Sequence, residues 1–285
     1  MNKKFHSVRN DYLCRMKTLK LFFVFFAILT ALTGCDLIDY HPYDTKIKGR
    51  HNINAENIER IERQCEGKDS IRFALIGDTQ REYDDTRDII KVLNARNDLD
   101  FVVHVGDISD FGATKEFEIQ RDLLEKLIYP YVVLIGNHDC IGTGPACFQY
   151  IFGDTDFSFN AGDTHFLCLN TNGLEYDYAT PIPNFDFISR NRETVPPHIR
   201  RTVVGMHAKP GTEQFPNNVA DFFQAELHRY PDLQFCFCGH GHHVAIEDHF
   251  NDGIIYYQSG AIWVRNYMLF TLTKDGKYEY ELVDF

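Results

Sequence analysis

Basic residues are scarce in this chain. Its 285 residues hold 29 Lys and Arg against 41 Asp and Glu, a formal net charge of −12. That balance argues against nucleic acid as a partner, because a phosphate backbone recruits clustered Lys and Arg. It also means that a site handling an anionic substrate needs a local positive charge, such as a metal ion. No apolar run reaches the ~20 residues of a bilayer-spanning helix. The run LFFVFFAILTALT, from Leu21 to Thr33, has the length expected of a signal-peptide core. No CxxC pair with zinc-finger spacing is present. Internal repeats and low-complexity blocks are absent as well, so the length is read as one sizeable domain or two small ones.

Lys17 and Lys20 precede the apolar run, and Leu32-Thr33-Gly34-Cys35 closes it. This LTGC stretch resembles the lipobox of bacterial lipoproteins, in which the cysteine is lipidated and becomes the first mature residue. The expectation is a signal peptide over residues 1–35, with residues 1–15 an extension ahead of a natural start at Met16. The mature protein is then expected in the cell envelope, anchored to a membrane through Cys35, on the periplasmic side or the cell surface. An N-terminal anchor helix is the alternative. Without residues 1–35 the balance is 23 basic against 40 acidic residues, a net of −17, so the acidity deepens.

Six cysteines remain beyond Cys14 and Cys35. In an exported protein Cys140 and Cys147 can close a short disulfide loop. Equally, Cys168, Cys236 and Cys238 sit in apolar runs that suit buried free thiols. The sequence leaves both readings open.

Residues 36–69 read as a polar lead segment with one short helix around Ile58 and Ile61. From residue 70 to 285 the pattern is that of a folded domain. Short apolar runs, IRFALIGD, DFVVHVGD and YVVLIGNHD, alternate with the helical stretches Asp84–Asn97 and Lys115–Leu127. Asp84 and Asp85 look like a helix N-cap pair. The downstream half is strand-rich, with a helix over Asn218–Tyr230. Such alternation predicts an α/β layered fold with buried strands and a second sheet packed on the first.

The strand-like runs end on metal-competent residues. Asp78 and Gln80 lie in GDTQ, Asp107 and Asp110 in GDISD, and Asn137, His138 and Asp139 in GNHD. His207 lies in GMHAKP, and His240 and His242 in GHGHH. In α/β sheets the ligand site lies outside the carboxyl ends of the strands. Residues placed there from separate strands are expected to share one cleft.

The ordered set D-x-Q, GDxxD, GNHD, a lone His and GHxH resembles the calcineurin-like metallophosphoesterases, over roughly Ile71 to the C-terminus. The resemblance implies a two-layered β-sandwich flanked by helices and a binuclear metal centre. It would place Asp78, Gln80, Asp107 and His242 around one cation. Asp107, Asn137, His207 and His240 would surround the other, with Asp107 bridging. His138 would protonate the leaving oxygen, and Asp139 would orient the His138 ring. The implied activity is hydrolysis of a small phosphorylated substrate, as a phosphomonoesterase or phosphodiesterase. A non-catalytic binding module on the same fold is the alternative.

The residue types suit that chemistry. Two cations ~3.5–4 Å apart neutralise a phosphoester and acidify a bound water toward a pKa of ~7. Imidazole and carboxylate donors suit two divalent ions, Mn foremost, with Fe, Zn or Mg as alternatives. The first motif commonly reads D-x-H, whereas here Gln80 supplies an amide, a harder and weaker donor that favours Mn or Mg. The D-x-Q form resembles a branch that includes Mn-dependent ADP-ribose and CDP-alcohol diphosphatases, so a nucleotide or diphosphate-diester substrate is a further expectation. His104, inside VVHVGD, reads as a core histidine, and Trp263 and Tyr267 as core packing. Asp110 is read either as orienting ligands or as a solvated cap. The stretch Leu174–Pro197, rich in proline, aromatics and charge, is where a substrate-selecting insertion would sit.

Overall fold

The computed structural model describes residues 19–26, 41, 43, 44, 46–177 and 179–285. The chain divides into two units, Met1–Pro42 and Tyr43–Phe285. In the first, residues 19–26 form a helix, α1. The remainder of the expected leader, including Leu32–Cys35, lies outside the described residues. No helix among the described residues is long and apolar enough to cross a membrane.

The second unit contains both sheets, and from Tyr43 onward the expected lead segment belongs to it. Helix α2 (Ile53–Cys65) buries Ile53, Asn57, Ile61 and Cys65, which recur every fourth residue on one face. Asn54 on the same helix bonds the Val133 backbone twice, donating to its carbonyl and accepting from its N–H, both at 2.9 Å.

The first sheet contains β1 (Ser70–Ile76), β2 (Phe101–His104), β3 (Tyr131–Val133), β10 (Asn266–Thr273) and β11 (Tyr278–Asp284), in the order β11-β10-β1-β2-β3. β1, β2 and β3 run parallel through the crossover helices α3 (Tyr83–Asn94) and α4 (Thr114–Leu124), while β10 and β11 are antiparallel. The second sheet contains β4 (Phe157–Ala161), β5 (Thr164–Leu169), β6 (Arg201–Met206), β7 (Leu233–Cys238), β8 (Ala245–Glu247) and β9 (Ile255–Gln258). Its order is β4-β5-β6-β7-β9-β8, parallel in the middle with antiparallel edges. β2, β3, β5 and β6 are buried at every position, as parallel strands covered on both faces must be.

Phenylalanines fill the space between the sheets. Phe73 and Phe101 meet Phe166 edge-on, each with centroids 5.4 Å apart, and Phe235 stacks on Phe270 at 4.9 Å. Helices α3, α4 and α5 (Gly144–Ile151) cover the outside of the first sheet through Leu93, Phe117 and Phe148. Helices α6 (Phe185–Thr194) and α7 (Ala220–Leu227) cover the second through Ile188 and Phe223. The architecture is the expected α/β sandwich of two sheets flanked by helices.

Several local expectations change. The stretch Leu174–Pro197 contains α6, whose Asn184 side chain accepts from the Phe187 N–H at 3.0 Å and whose Ile188 is buried in the second core. Asp84 and Asp85 fall inside the first turn of α3 rather than capping it, where negative charge still suits the helix N-terminus. The six cysteines beyond residue 35 are all free and buried, so Cys140 and Cys147 do not close a loop. Tyr267 is core, but Trp263 is 39% exposed.

Candidate metal centre

The carboxyl ends of β1, β2, β3, β6 and β7 lead directly into Asp78, Asp107, Asn137, His207 and His240. The chain must leave each strand sharply to aim these side chains inward. Accordingly Asp78 (φ 50°), Gln80 (36°), Asp107 (57°), His240 (69°) and His242 (59°) all adopt left-handed backbone, which is uncommon outside glycine. Gly106 makes the close approach possible. With φ 102°, a Cβ there would lie 2.7 Å from the Gly136 nitrogen and 2.8 Å from His207 Nδ1.

At the centre, one donor atom each from Asp78, Asp107 and His207 lies within 4.8 Å of the others, and all three residues are buried. His207 Nε2 is 3.4 Å from Asp107 Oδ2 and 3.0 Å from Asn137 Oδ1. His240 Nδ1 reaches the same Asn137 oxygen at 3.0 Å. On the other flank, Gln80 Nε2 is 3.4 Å from Asp107 Oδ2, and His242 Nε2 is 3.5 Å from Asp78 Oδ1. Asp107 therefore stands between two groups of donors, and all seven expected ligand side chains gather in one place.

These residues fit a pair of cations. Asp78 and Asp107 are fully buried, and neither is paired with Lys or Arg among the described residues. The Oδ2 atom of Asp78 is buried without a hydrogen-bond partner. Buried carboxylates left in this condition are costly unless a positive charge joins them. Burial pushes the Asp78 carboxyl up to about 7, aided by Asp107 and opposed by His207. Burial alone would depress the His207 imidazole, yet the Asp107 and Asp78 carboxylates push it up to about 9. Where no cation is bound, the two carboxylates thus favour a protonated His207.

Outer partners fix the rings. His207 Nδ1 faces the Val105 carbonyl at 2.7 Å, which leaves Nε2 for the centre. His240 Nε2 is 2.9 Å from Glu213 Oε1, a carboxylate that no sequence motif marked. Gln258, at the end of β9, donates to the His243 carbonyl at 2.9 Å and steadies the GHGHH loop. His104 is a buried core histidine beside Thr79 Oγ1 at 3.0 Å, with burial pushing it down to about 3.

His138 and Asp139 separate. The Asp139 carboxylate does not orient the His138 ring. Its Oδ2 accepts from the N–H groups of Asp107 and Gly136, each at 2.9 Å, and its Oδ1 from the Ser109 N–H at 2.8 Å and hydroxyl at 2.9 Å. It ties the β2 and β3 loops together. The His138 ring is held by Asp110 instead, with Nδ1 2.8 Å from its carbonyl and 3.7 Å from its carboxylate. Asp110 is also 3.1 Å from Arg81. Burial opposes protonation of His138, but Asp107 and the Asp110 carbonyl outweigh it and hold the imidazole above its ordinary value.

Two layered sheets with carboxylates, an amide and imidazoles converging at the strand ends define a metallohydrolase of the phosphoester-cleaving class. The chain belongs to the calcineurin-like phosphoesterase family, whose model matches residues 71–244. Among solved structures it is similar to a dimetal phosphatase from Danio rerio, at 12% identity and TM-score 0.53, over 75% of this chain and 98% of that one. It is also similar to GAP50, described as the anchor in the inner membrane complex of Plasmodium, at 12% identity and TM-score 0.58, over 76% and 85%. A purple acid phosphatase from yellow lupin seeds shares 15% identity with TM-score 0.53, over 77% of this chain and 55% of that one. At these identities the structures speak for the fold. No curated protein sequence matches the chain. The family assignment and the donor cluster together make the protein a metal-dependent phosphoester hydrolase.

Two outcomes are expected. Trp263 is the only tryptophan, and its ring centroid lies 4.9 Å from that of His242. Titrating Mn²⁺ into the metal-free protein should quench its fluorescence, and Asp107→Asn should abolish both the quenching and the metal found by elemental analysis. An Asp107→Asn protein that retains metal contradicts the bridging assignment. Second, the His207 value of about 9 stands above the ordinary 6.5. The stability lent by its imidazolium is fully present below pH 6.5 and is lost as pH rises through about 9. Asp78, at about 7 against 3.8, acts in the same direction, its contribution present below pH 3.8 and lost as pH rises through about 7. The Tm of the metal-free protein should therefore fall between about pH 6.5 and 8.5, and the rise in Tm on adding Mn²⁺ should grow with pH. A shift that shrinks with pH contradicts proton displacement.

Proposed function

We propose that the protein hydrolyses a small phosphorylated substrate at a binuclear centre built on Asp107, and that it works at the cell envelope, anchored through a lipidated Cys35. The observation that carries the catalytic reading is the buried Asp78–Asp107–His207 cluster with its unpartnered Asp78 oxygen. Asp78, Gln80, Asp107 and His242 would hold one cation, and Asp107, Asn137, His207 and His240 the other. When bound, the pair supplies positive charge to the phosphoryl oxygens and acidifies a water. The amide at Gln80 beside carboxylates favours Mn.

The chain's own residues do the rest. His138 borders the same cleft as Asp107 and Asn137. With Nδ1 fixed on Asp110, its Nε2 is left to protonate the departing oxygen. Asp139 holds the backbone of both loops in register. The intact donor set argues against a scaffold that binds without turning over. The Gln80 form supports a substrate of the nucleotide or diphosphate-diester kind.

The catalytic reading is tested with bis-p-nitrophenyl phosphate, with and without Mn²⁺. His138→Ala should lower turnover by roughly 10²-fold or more on a substrate with a poor leaving group, while bound metal stays near wild type. Unchanged turnover removes His138 from its role. The anchoring reading is tested by metabolic labelling with a radioactive fatty acid in a bacterial host. The wild-type protein should carry label and sediment with membranes, and Cys35→Ala should lose both; label retained by Cys35→Ala refutes it.

A further inference from the structure

We propose that Lys209 is the subsite for a second anionic group of the substrate, a phosphoryl neighbouring the scissile one, and that Glu247 occupies the lysine until that group binds. The proposal rests on the phosphoester-hydrolase reading and narrows its substrate class.

A cleft of about 480 Å³ opens over the metal centre, lined on the inner side by Asp107, Asn137 and His138. That volume accommodates considerably more than one phosphoryl group. Among the described residues that line the cleft, Lys209 is the one Lys or Arg. In a chain of net charge −12, it is the cation that the protein itself supplies to an anionic ligand at this place.

Three features indicate a built subsite. First, Lys209 follows His207 by two residues, and its backbone is locked in a turn. Thr212 Oγ1 donates to the Lys209 carbonyl at 2.8 Å, and Asn217 spans the turn, accepting from the Gly211 N–H at 2.7 Å and donating to the Thr212 carbonyl at 2.6 Å. Second, the Lys209 side chain is only 11% exposed, which is unusual for an ammonium. Desolvating an ammonium is costly and one half-exposed carboxylate repays it poorly, so stapling the edge strand β8 is weak reason for keeping a lysine there. Third, its ion-pair partner Glu247 is 41% exposed and also faces His249 Nδ1 at 3.9 Å, so the carboxylate has somewhere else to go.

The exchange explains selectivity. An ester with a single phosphoryl leaves its charge at the cations, and Glu247 stays on Lys209. A second phosphoryl reaching the lysine offers several strong acceptor oxygens and replaces the carboxylate. Glu247 thus acts as an internal competitor that only a doubly anionic substrate displaces.

The test compares a dinucleoside 5′,5′-diphosphate with the matching 5′,5′-monophosphate on the Mn²⁺-loaded protein, with bis-p-nitrophenyl phosphate as the parent assay. The wild-type protein should prefer the diphosphate. Lys209→Met should lower the diphosphate-to-monophosphate ratio of kcat/KM about tenfold or more, mainly through KM, and Lys209→Arg should restore much of it. Glu247→Gln should raise the ratio, because the competitor is gone. A ratio unmoved by Lys209→Met, or a wild-type preference for the monophosphate, overturns the subsite. If Lys209→Met fails to fold, a ratio that does not rise in Glu247→Gln overturns it equally. Cleavage of bis-p-nitrophenyl phosphate without cleavage of either dinucleotide counts against this proposal alone. Absence of all three activities removes the hydrolase reading and the subsite with it.

Discussion

Two carboxylates buried against each other govern this molecule. Asp78 and Asp107 come from different strands of one sheet, and both are sealed from water. Like charges in a low-dielectric interior repel strongly, and such an arrangement persists only where a positive charge completes it. His207 crosses from the second sheet to provide a provisional one. The sandwich therefore does more than cover a core: it sets the ends of β1, β2, β3, β6 and β7 around a point at which negative charge accumulates. The sharp left-handed exits after β1, β2 and β7 are the local cost of pointing five candidate ligands, Asp78, Gln80, Asp107, His240 and His242, inward, and the surrounding packing must sustain them.

The two acids flanking His138 divide the labour differently from what their places in the chain suggest. Asp139 is wholly buried and occupied by backbone donors, so it determines where Asp107 sits. Asp110, 28 residues before His138, touches the imidazole. A substitution at Asp139 acts on the position of Asp107 through the loop, whereas one at Asp110 acts on the ring.

Much of this was legible in the sequence because the chemistry sits next to the pattern that reveals it. Continuous apolar runs announce strands buried on both faces, and the residues immediately after them have nowhere to go but the strand ends. Asp78, Asp107, Asn137, His207 and His240 stand out in the sequence for that reason, and each lies just past a strand end. Adjacency in the chain does not bring the Asp139 carboxylate to the His138 ring, because residues His138–Cys140 form a 3₁₀ turn, in which consecutive side chains diverge by about 120°. Glu213 and Lys209 lie in a loop without periodicity, and only the folded chain brings them to His240 and the cleft. Helix α6 was hidden by its composition, since Ile188 is its one buried residue and prolines flank it.

The two hydrogen bonds between Asn54 and Val133 bear on the open margin of the first sheet. β3 is the last strand of its sheet, and a terminal strand with free peptide groups invites a neighbouring molecule to add on. Here a side-chain amide from α2 imitates one residue of a further strand and takes up the outward N–H and carbonyl of Val133. The helix ahead of the first strand thus shields part of that margin from edge-to-edge pairing while burying Ile53 and Ile61 in the two cores on either side of it.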